Sequence, residues 1–140
     1  MSAVCSEAGH HTPRQTTGSA LNIKGVHHVT LVVGDLTRAE SFYGKFLGLQ
    51  PIPRPDYDFQ GTWYRCGNLE LHLIVAEEHP PPSRHHIAFE VADFDNVLKV
   101  LDSGRVHIVG GPARRLHDNS RYVFCQDPDG NLIEITSPTR

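Results

Sequence analysis

Apolar and polar positions alternate at strand period in two similar stretches of this chain. In Val26-His27-His28-Val29-Thr30-Leu31-Val32-Val33, residues Val29, Leu31 and Val33 share one face; in Arg84-His85-His86-Ile87-Ala88-Phe89-Glu90-Val91, so do Ile87, Phe89 and Val91. Each stretch opens on a His doublet and is followed by an aspartate, Asp35 or Asp93, suited to cap a helix. His28 and His86 fall on the polar faces of their strands, at equivalent places in two similar units. His27 and His85 fall on the opposite side and are expected to be structural or exposed.

Beyond each doublet the spacing predicts the order β-α-β-β-β, twice. After Asp35, residues Leu36, Ala39, Phe42, Tyr43, Phe46 and Leu47 recur at helical spacing up to Gly48, a glycine stop. Ile52 begins a short strand, Arg54 to Gly61 is a loop, and strands Thr62 to Cys66 and Leu69 to Ala76 flank a tight Gly67-Asn68 turn. In the second unit, strand 86–91 leads into a helix with Phe94, Val97, Leu98 and Leu101 on its apolar side, ended by Gly104. Strand Val106 to Val109 is broken by Gly110-Gly111-Pro112, and Ala113 to Ser120 is a loop. Strand Arg121 to Cys125, the turn Asp127-Pro128-Asp129-Gly130 and strand Asn131 to Thr136 complete the unit.

Repetition on this scale predicts an α+β fold of two βαβββ modules, residues 23–78 and 85–140, joined by a linker at 79–84. Pro80-Pro81-Pro82 excludes helix and central strand from that linker. Either module alone would have a weak core, so the two are expected to pack together or to exchange between chains. Residues 1–22 have no apolar period and read as a disordered extension, with no apolar run of the kind a signal peptide carries.

Composition narrows the function. The 140 residues make one domain overall, 39% hydrophobic and 21% charged, with a formal net charge of -3. That balance, without a basic stripe, argues against nucleic acid, and no apolar run is long enough for a membrane span. Three cysteines without CxxC spacing read as free thiols, which suits the cytoplasm.

The candidate chemistry lies in the recurring histidines and in the last strand of each unit. Imidazole is the commonest metal ligand near neutral pH, and twofold recurrence of His28 and His86 at equivalent positions favours ligation over two unrelated strand histidines. Glu134 stands between Ile133 and Ile135, and Glu70 between Leu69 and Leu71. A carboxylate on an apolar strand either faces solvent or needs a buried partner. Glu70 and His72 share a face, so either could supply the first unit's second ligand; the flanking leucines favour Glu70. Two imidazoles with one or two carboxylates make a mixed N/O site for Fe, Mn, Ni, Co or Zn, unlike a closed thiolate zinc site. Trp63, Arg65, Arg121 and Tyr122 lie on strands expected to line a cavity for substrate.

Over residues 24–138 the chain resembles the vicinal-oxygen-chelate superfamily, which includes glyoxalase I, fosfomycin-resistance proteins, extradiol dioxygenases, methylmalonyl-CoA epimerase and bleomycin-resistance proteins. The stretches that carry the resemblance run from His28 to Leu36 and from Ser41 to Leu49, then His86 to Val91 and Asp127 to Glu134. The resemblance implies paired βαβββ modules around one metal ion in a domain spanning 23–138. It implies His28, His86 and Glu134 as ligands, with Glu70 matching the extra ligand of bacterial-type glyoxalase I. It also implies a small substrate with vicinal oxygens, a lyase or isomerase in which Glu134 or Glu70 acts as base, and a homodimer. The loop Pro51 to Gly61 departs from glyoxalase I, so a glutathione adduct is not the expected substrate. The alternatives are an Fe(II) extradiol dioxygenase, for which His117 and Tyr122 would be the acid–base pair, and a non-catalytic small-molecule binding or resistance protein.

Overall fold

A computed structural model describes residues 20–77 and 83–138; most of the expected N-terminal extension and the triple proline of the linker lie outside the described residues. Two four-stranded mixed sheets make up the molecule. The first contains β1 (His28–Val33), β2 (Gln50–Ile52), β3 (Gly61–Cys66) and β4 (Leu69–Val75), in the order β1-β4-β3-β2. The second contains β5 (His86–Glu90), β6 (Ile108–Arg114), β7 (Arg121–Gln126) and β8 (Leu132–Ser137), in the matching order β5-β8-β7-β6. In each, the first strand runs parallel to the last and the other pairings are antiparallel. The expected βαβββ repeat is therefore present twice. No helix among the described residues is long and apolar enough to cross a membrane.

The helices start where the aspartates stand. The Asp35 side chain accepts from the Arg38 amide at 2.8 Å and opens α1 (Leu36–Glu40); Asp93 accepts from the Asn96 amide at 3.1 Å and opens α2 (Phe94–Ser103). The helix expected over 36–47 changes character partway. From Ser41 to Phe46 it is a π-helix, and the Leu47 amide bonds to the Phe42 carbonyl at 2.9 Å. This wider turn lets the adjacent residues Phe42 and Tyr43 both bury.

A second departure is β6, which runs through Gly110-Gly111-Pro112 instead of stopping at Val109. It is an edge strand, where a proline removes no required ladder bond, and its pairing with β7 shifts register on either side of Gly110. The loop expected from Ala113 therefore begins only after Arg114.

The apolar faces of both sheets share one core. Val33, Phe42, Tyr43, Tyr64, Leu71 and Leu73 of the first module belong to the same cluster as Phe89, Phe94, Leu101, Val123, Ile133 and Ile135 of the second. Polar ties cross the same boundary. Asp129 Oδ1 accepts from the Gly34 amide at 2.9 Å and from Arg38 at 3.0 Å, and Asn131 Nδ2 donates to the Val32 carbonyl at 3.0 Å. The turn after β7 is thus a joint between modules as well as a reversal. With both apolar faces turned into this core, the polar faces carrying His28 and His86 look away from it.

Candidate metal centre

Strand register arranges the polar faces in rows. In the first module, Arg65, Glu70 and His28 are Cα partners in one row, and Trp63, His72 and Thr30 in the next. In the second, Gln126, Leu132 and His86 form one row, and Phe124, Glu134 and Ala88 the next. The row-by-row correspondence relates Glu134 to His72, and Glu70 to Leu132. Counting along the sequence related Glu134 to Glu70, because the turns before the two last strands differ in length.

The second module's half-site is compact. His86 Nδ1 lies 2.8 Å from the Arg84 carbonyl, which can only accept, so that nitrogen carries a proton. His86 Nε2 then lies 3.0 Å from Glu134 Oε1. In the neutral ring, two lone pairs face one another there, and the arrangement calls for a proton or a cation between them. Two ligands at right angles on one ion, each about 2.1 Å away, stand about 3 Å apart, so the pair fits a divalent metal. Glu134 is buried, with a side-chain exposure of 7% against 30% for His86. Its other oxygen, Oε2, accepts from Arg115.

The first module's half-site is a stack of rings. His72 lies between His28, at 4.2 Å between centroids, and Trp63, at 3.9 Å and 1° from parallel. His72 Nε2 donates to Glu70 Oε1 at 2.9 Å, and Arg65 reaches Glu70 Oε2 at 3.5 Å. The hydrogen bond from His72 and the nearby Arg65 charge lower the Glu70 pKa, against an opposing desolvation effect. Glu70 is therefore a carboxylate at neutral pH, and it fixes the His72 ring with Nδ1 as the unprotonated nitrogen of the neutral form.

Other expected site residues divide. Tyr122 shares the Glu134 face, its ring centroid 4.5 Å from the Arg115 guanidinium carbon. Arg121 turns to the helix side instead, bonded to Asp95 at 2.9 Å and stacked over Phe94. His117 is exposed and lies 3.4 Å from Asp118, apart from the half-site. His27 and His85 are exposed, as expected. Cys66 and Cys125 are free thiols; the Cys125 pKa is pushed up to about 11, chiefly by burial, and burial raises that of Cys66 too, so neither is poised as a thiolate.

Arg115 was not singled out by the sequence, because the loop it occupies has no hydrophobic period. The expected gathering of all four ligands does not occur within one chain. Among the described residues, no three His, Cys, Asp or Glu side chains converge as a metal site. The physical reason is the shared core, which turns the two polar faces outward.

Paired βαβββ modules, each with a histidine opening its first strand, define the class of fold to which the chain belongs. The chain belongs to the Glyoxalase/Bleomycin resistance protein/Dioxygenase superfamily, whose sequence profile matches residues 25–135. It is 28% identical to Glyoxylase I 4 of Arabidopsis thaliana, over 87% of this chain and 75% of that protein. It is 25% identical to the metallothiol transferase FosB of Shouchella clausii, over 84% of this chain and 82% of that one. Among solved structures, a glyoxalase family protein from Bacillus anthracis superposes with a TM-score of 0.75 at 30% identity, over 86% of this chain and 100% of that chain.

Proposed function

We propose that this protein is a divalent-metal-dependent, glyoxalase-like enzyme acting on a small substrate with vicinal oxygens, as a lyase or isomerase. The observation that carries the reading is the facing pair of His86 Nε2 and Glu134 Oε1, 3.0 Å apart with His86 Nδ1 already committed to a carbonyl. His86, Glu134 and His28 are the proposed ligands of one ion of Fe, Mn, Ni, Co or Zn. Row correspondence and the free Nδ1 support His72 as the fourth, with Glu70 positioning it; in the competing assignment Glu70 itself ligates. When bound, the ion would act as a Lewis acid toward the substrate oxygens.

This chain's own groups do the rest. Glu70, ionised and partly open, is the proposed proton acceptor beside His28. Trp63 covers one face of His72 and keeps water from it. Because the half-sites stand apart within one chain, the proposed active form is a homodimer in which each copy faces its first module to the other's second.

Metal analysis and Mn(II) titration of the purified protein test the proposal. Wild type should bind the ion, and His86→Ala should weaken binding by at least the about 10–100-fold that loss of an outer-shell partner costs. Equal, background-level binding by both proteins would leave a non-catalytic binding module. Oxygen uptake with catechols by the metal-loaded protein would replace the isomerase reading with ring cleavage.

A further inference from the structure

The two His doublets differ in what holds the second ring of each. His86 Nδ1 faces the Arg84 carbonyl, which can only accept, so the backbone fixes the tautomer of that ring. His28 Nδ1 faces a side chain instead. His27 Nδ1 lies 2.9 Å from it, with the two rings edge-on at 85°. His27 stands just ahead of β1, which begins at His28, and so escapes the alternation of the strand. The Glu70 amide bonds to the His27 carbonyl at 3.1 Å and ties that backbone to β4. The His27 ring is thereby turned toward its neighbour rather than to the opposite face.

A hydrogen bond between two neutral imidazoles has two forms. If His27 donates, His28 carries its own proton on Nε2, and neither nitrogen of His28 keeps a lone pair for an ion. If His28 donates, its proton sits on Nδ1 and Nε2 keeps its lone pair. Only the second form matches His86. His72 stacks on the His28 ring at 4.2 Å, which sets the plane of that ring but not the nitrogen that carries the proton. Among the described residues, His27 Nδ1 is the one hydrogen-bond partner of the His28 ring. A ligating histidine ordinarily donates its other N–H to a carboxylate, a carbonyl or water, and that partner sets the tautomer. In the first module an imidazole holds this place.

We propose that His27 is a positioning residue of the metal centre: its Nδ1 accepts the His28 Nδ1 proton and so presents His28 Nε2 to the ion. His27 touches neither ion nor substrate. The inference rests on the reading of His28 as a ligand. The second half-site is then oriented by backbone and the first by a side chain, so a single substitution can release the first.

Two measurements on the full chain test this. Nitrogen NMR of metal-free protein carrying isotope-labelled histidine reads the tautomer of His28, whose signals are identified by their loss in His28→Gln. Calorimetry with Mn(II) reads affinity. Wild type should hold His28 in the Nδ1–H form. His27→Leu removes the acceptor, so His28 should pass to the Nε2–H form and Mn(II) affinity should fall about 10–100-fold, the range for loss of an outer-shell partner. His27→Asn sets an amide oxygen about where Nδ1 stood and should restore the Nδ1–H form and most of the affinity. His27 is exposed, so neither change should disturb the fold. The Nε2–H form in wild type overturns the proposal. So does a His27→Leu protein that keeps either the tautomer or the affinity of wild type. Equal losses in His27→Leu and His27→Asn overturn it too, because the acceptor would then not be what counts. If wild type takes up no Mn(II), the ligand reading fails by itself, and the NMR of metal-free protein still decides whether His27 sets His28.

Discussion

The Tyr43 hydroxyl donates to Asp127 Oδ2 over 2.6 Å, linking residues 84 positions apart in sequence and belonging to different modules. Asp127 is buried, and it also accepts from the Asp129 amide and from the Asn131 amide and side chain, so the carboxylate is fully satisfied. Burial, then the Asp127 charge and hydrogen bond, raise the Tyr43 pKa well beyond the usual phenol range.

Tyr43→Phe should therefore cost about 1.5–3 kcal/mol at neutral pH, the range for a hydrogen bond to a charged group. The alkaline behaviour should change as well. Above about pH 10 the unfolded chain gives up the Tyr43 proton and the folded chain keeps it, so wild-type stability falls as pH rises. Tyr43→Phe lacks that titration. Urea midpoints at pH 8 and pH 10.5 should differ less for the variant than for wild type.

Gly104 ends α2 with an ordinary backbone, φ -85°, so its need for glycine is steric. A Cβ there would overlap Cε1 of Phe46, in the other module. Gly104→Ala should destabilise by about 1–3 kcal/mol, as overpacking does. Thermal melts of Gly104→Ala with and without Phe46→Leu check this: the second change should restore part of the loss. No restoration would place the cost elsewhere than in the contact between modules.

Trp63 is the protein's one tryptophan, and it stacks on His72. Its emission should report on the first half-site directly. Divalent metal should shift Trp63 fluorescence in wild type, and the shift should vanish in His72→Ala. Glu70→Gln should keep the shift at weaker metal affinity, since it loses only the group orienting His72. The opposite pattern, Glu70→Gln silent and His72→Ala responsive, would make Glu70 the ligand.

Local rules made much of this molecule readable. The alternation around Val29, Leu31 and Val33 gives a strand with one buried face, and Asp35 and Asp93 cap helices because their carboxylates satisfy free amides. His28, His86 and Glu134 stand on polar faces for the same reason of period two. What counting could not supply was pairing. Whether His72 or Glu70 stands opposite a given residue depends on hydrogen-bond register across strands, which a change in turn length alters without any trace in periodicity. Arg115 was hidden because its neighbours follow turn chemistry, and its place beside Glu134 comes from contacts with β7 and β8. The π-helical turn was hidden because the apolar spacing from Leu36 to Leu47 suits an α-helix equally well. Pro112 suggested a break, and only its place on a sheet edge makes it compatible with β6.

The mismatch between His72 and Glu134 has a further meaning for the proposed homodimer. The repeats have the same fold but a different arrangement of polar groups: one stacks two imidazoles beside Glu70 and Arg65, the other sets one imidazole against Glu134 and Arg115. Two identical faces meeting would set ring against ring, or acid against acid. Unlike faces would bring His28 and His72 of one copy to the His86–Glu134 pair of the other. In the proposed homodimer, divergence between the rows, His72 against Glu134 and Glu70 against Leu132, would thus favour head-to-tail contact over head-to-head.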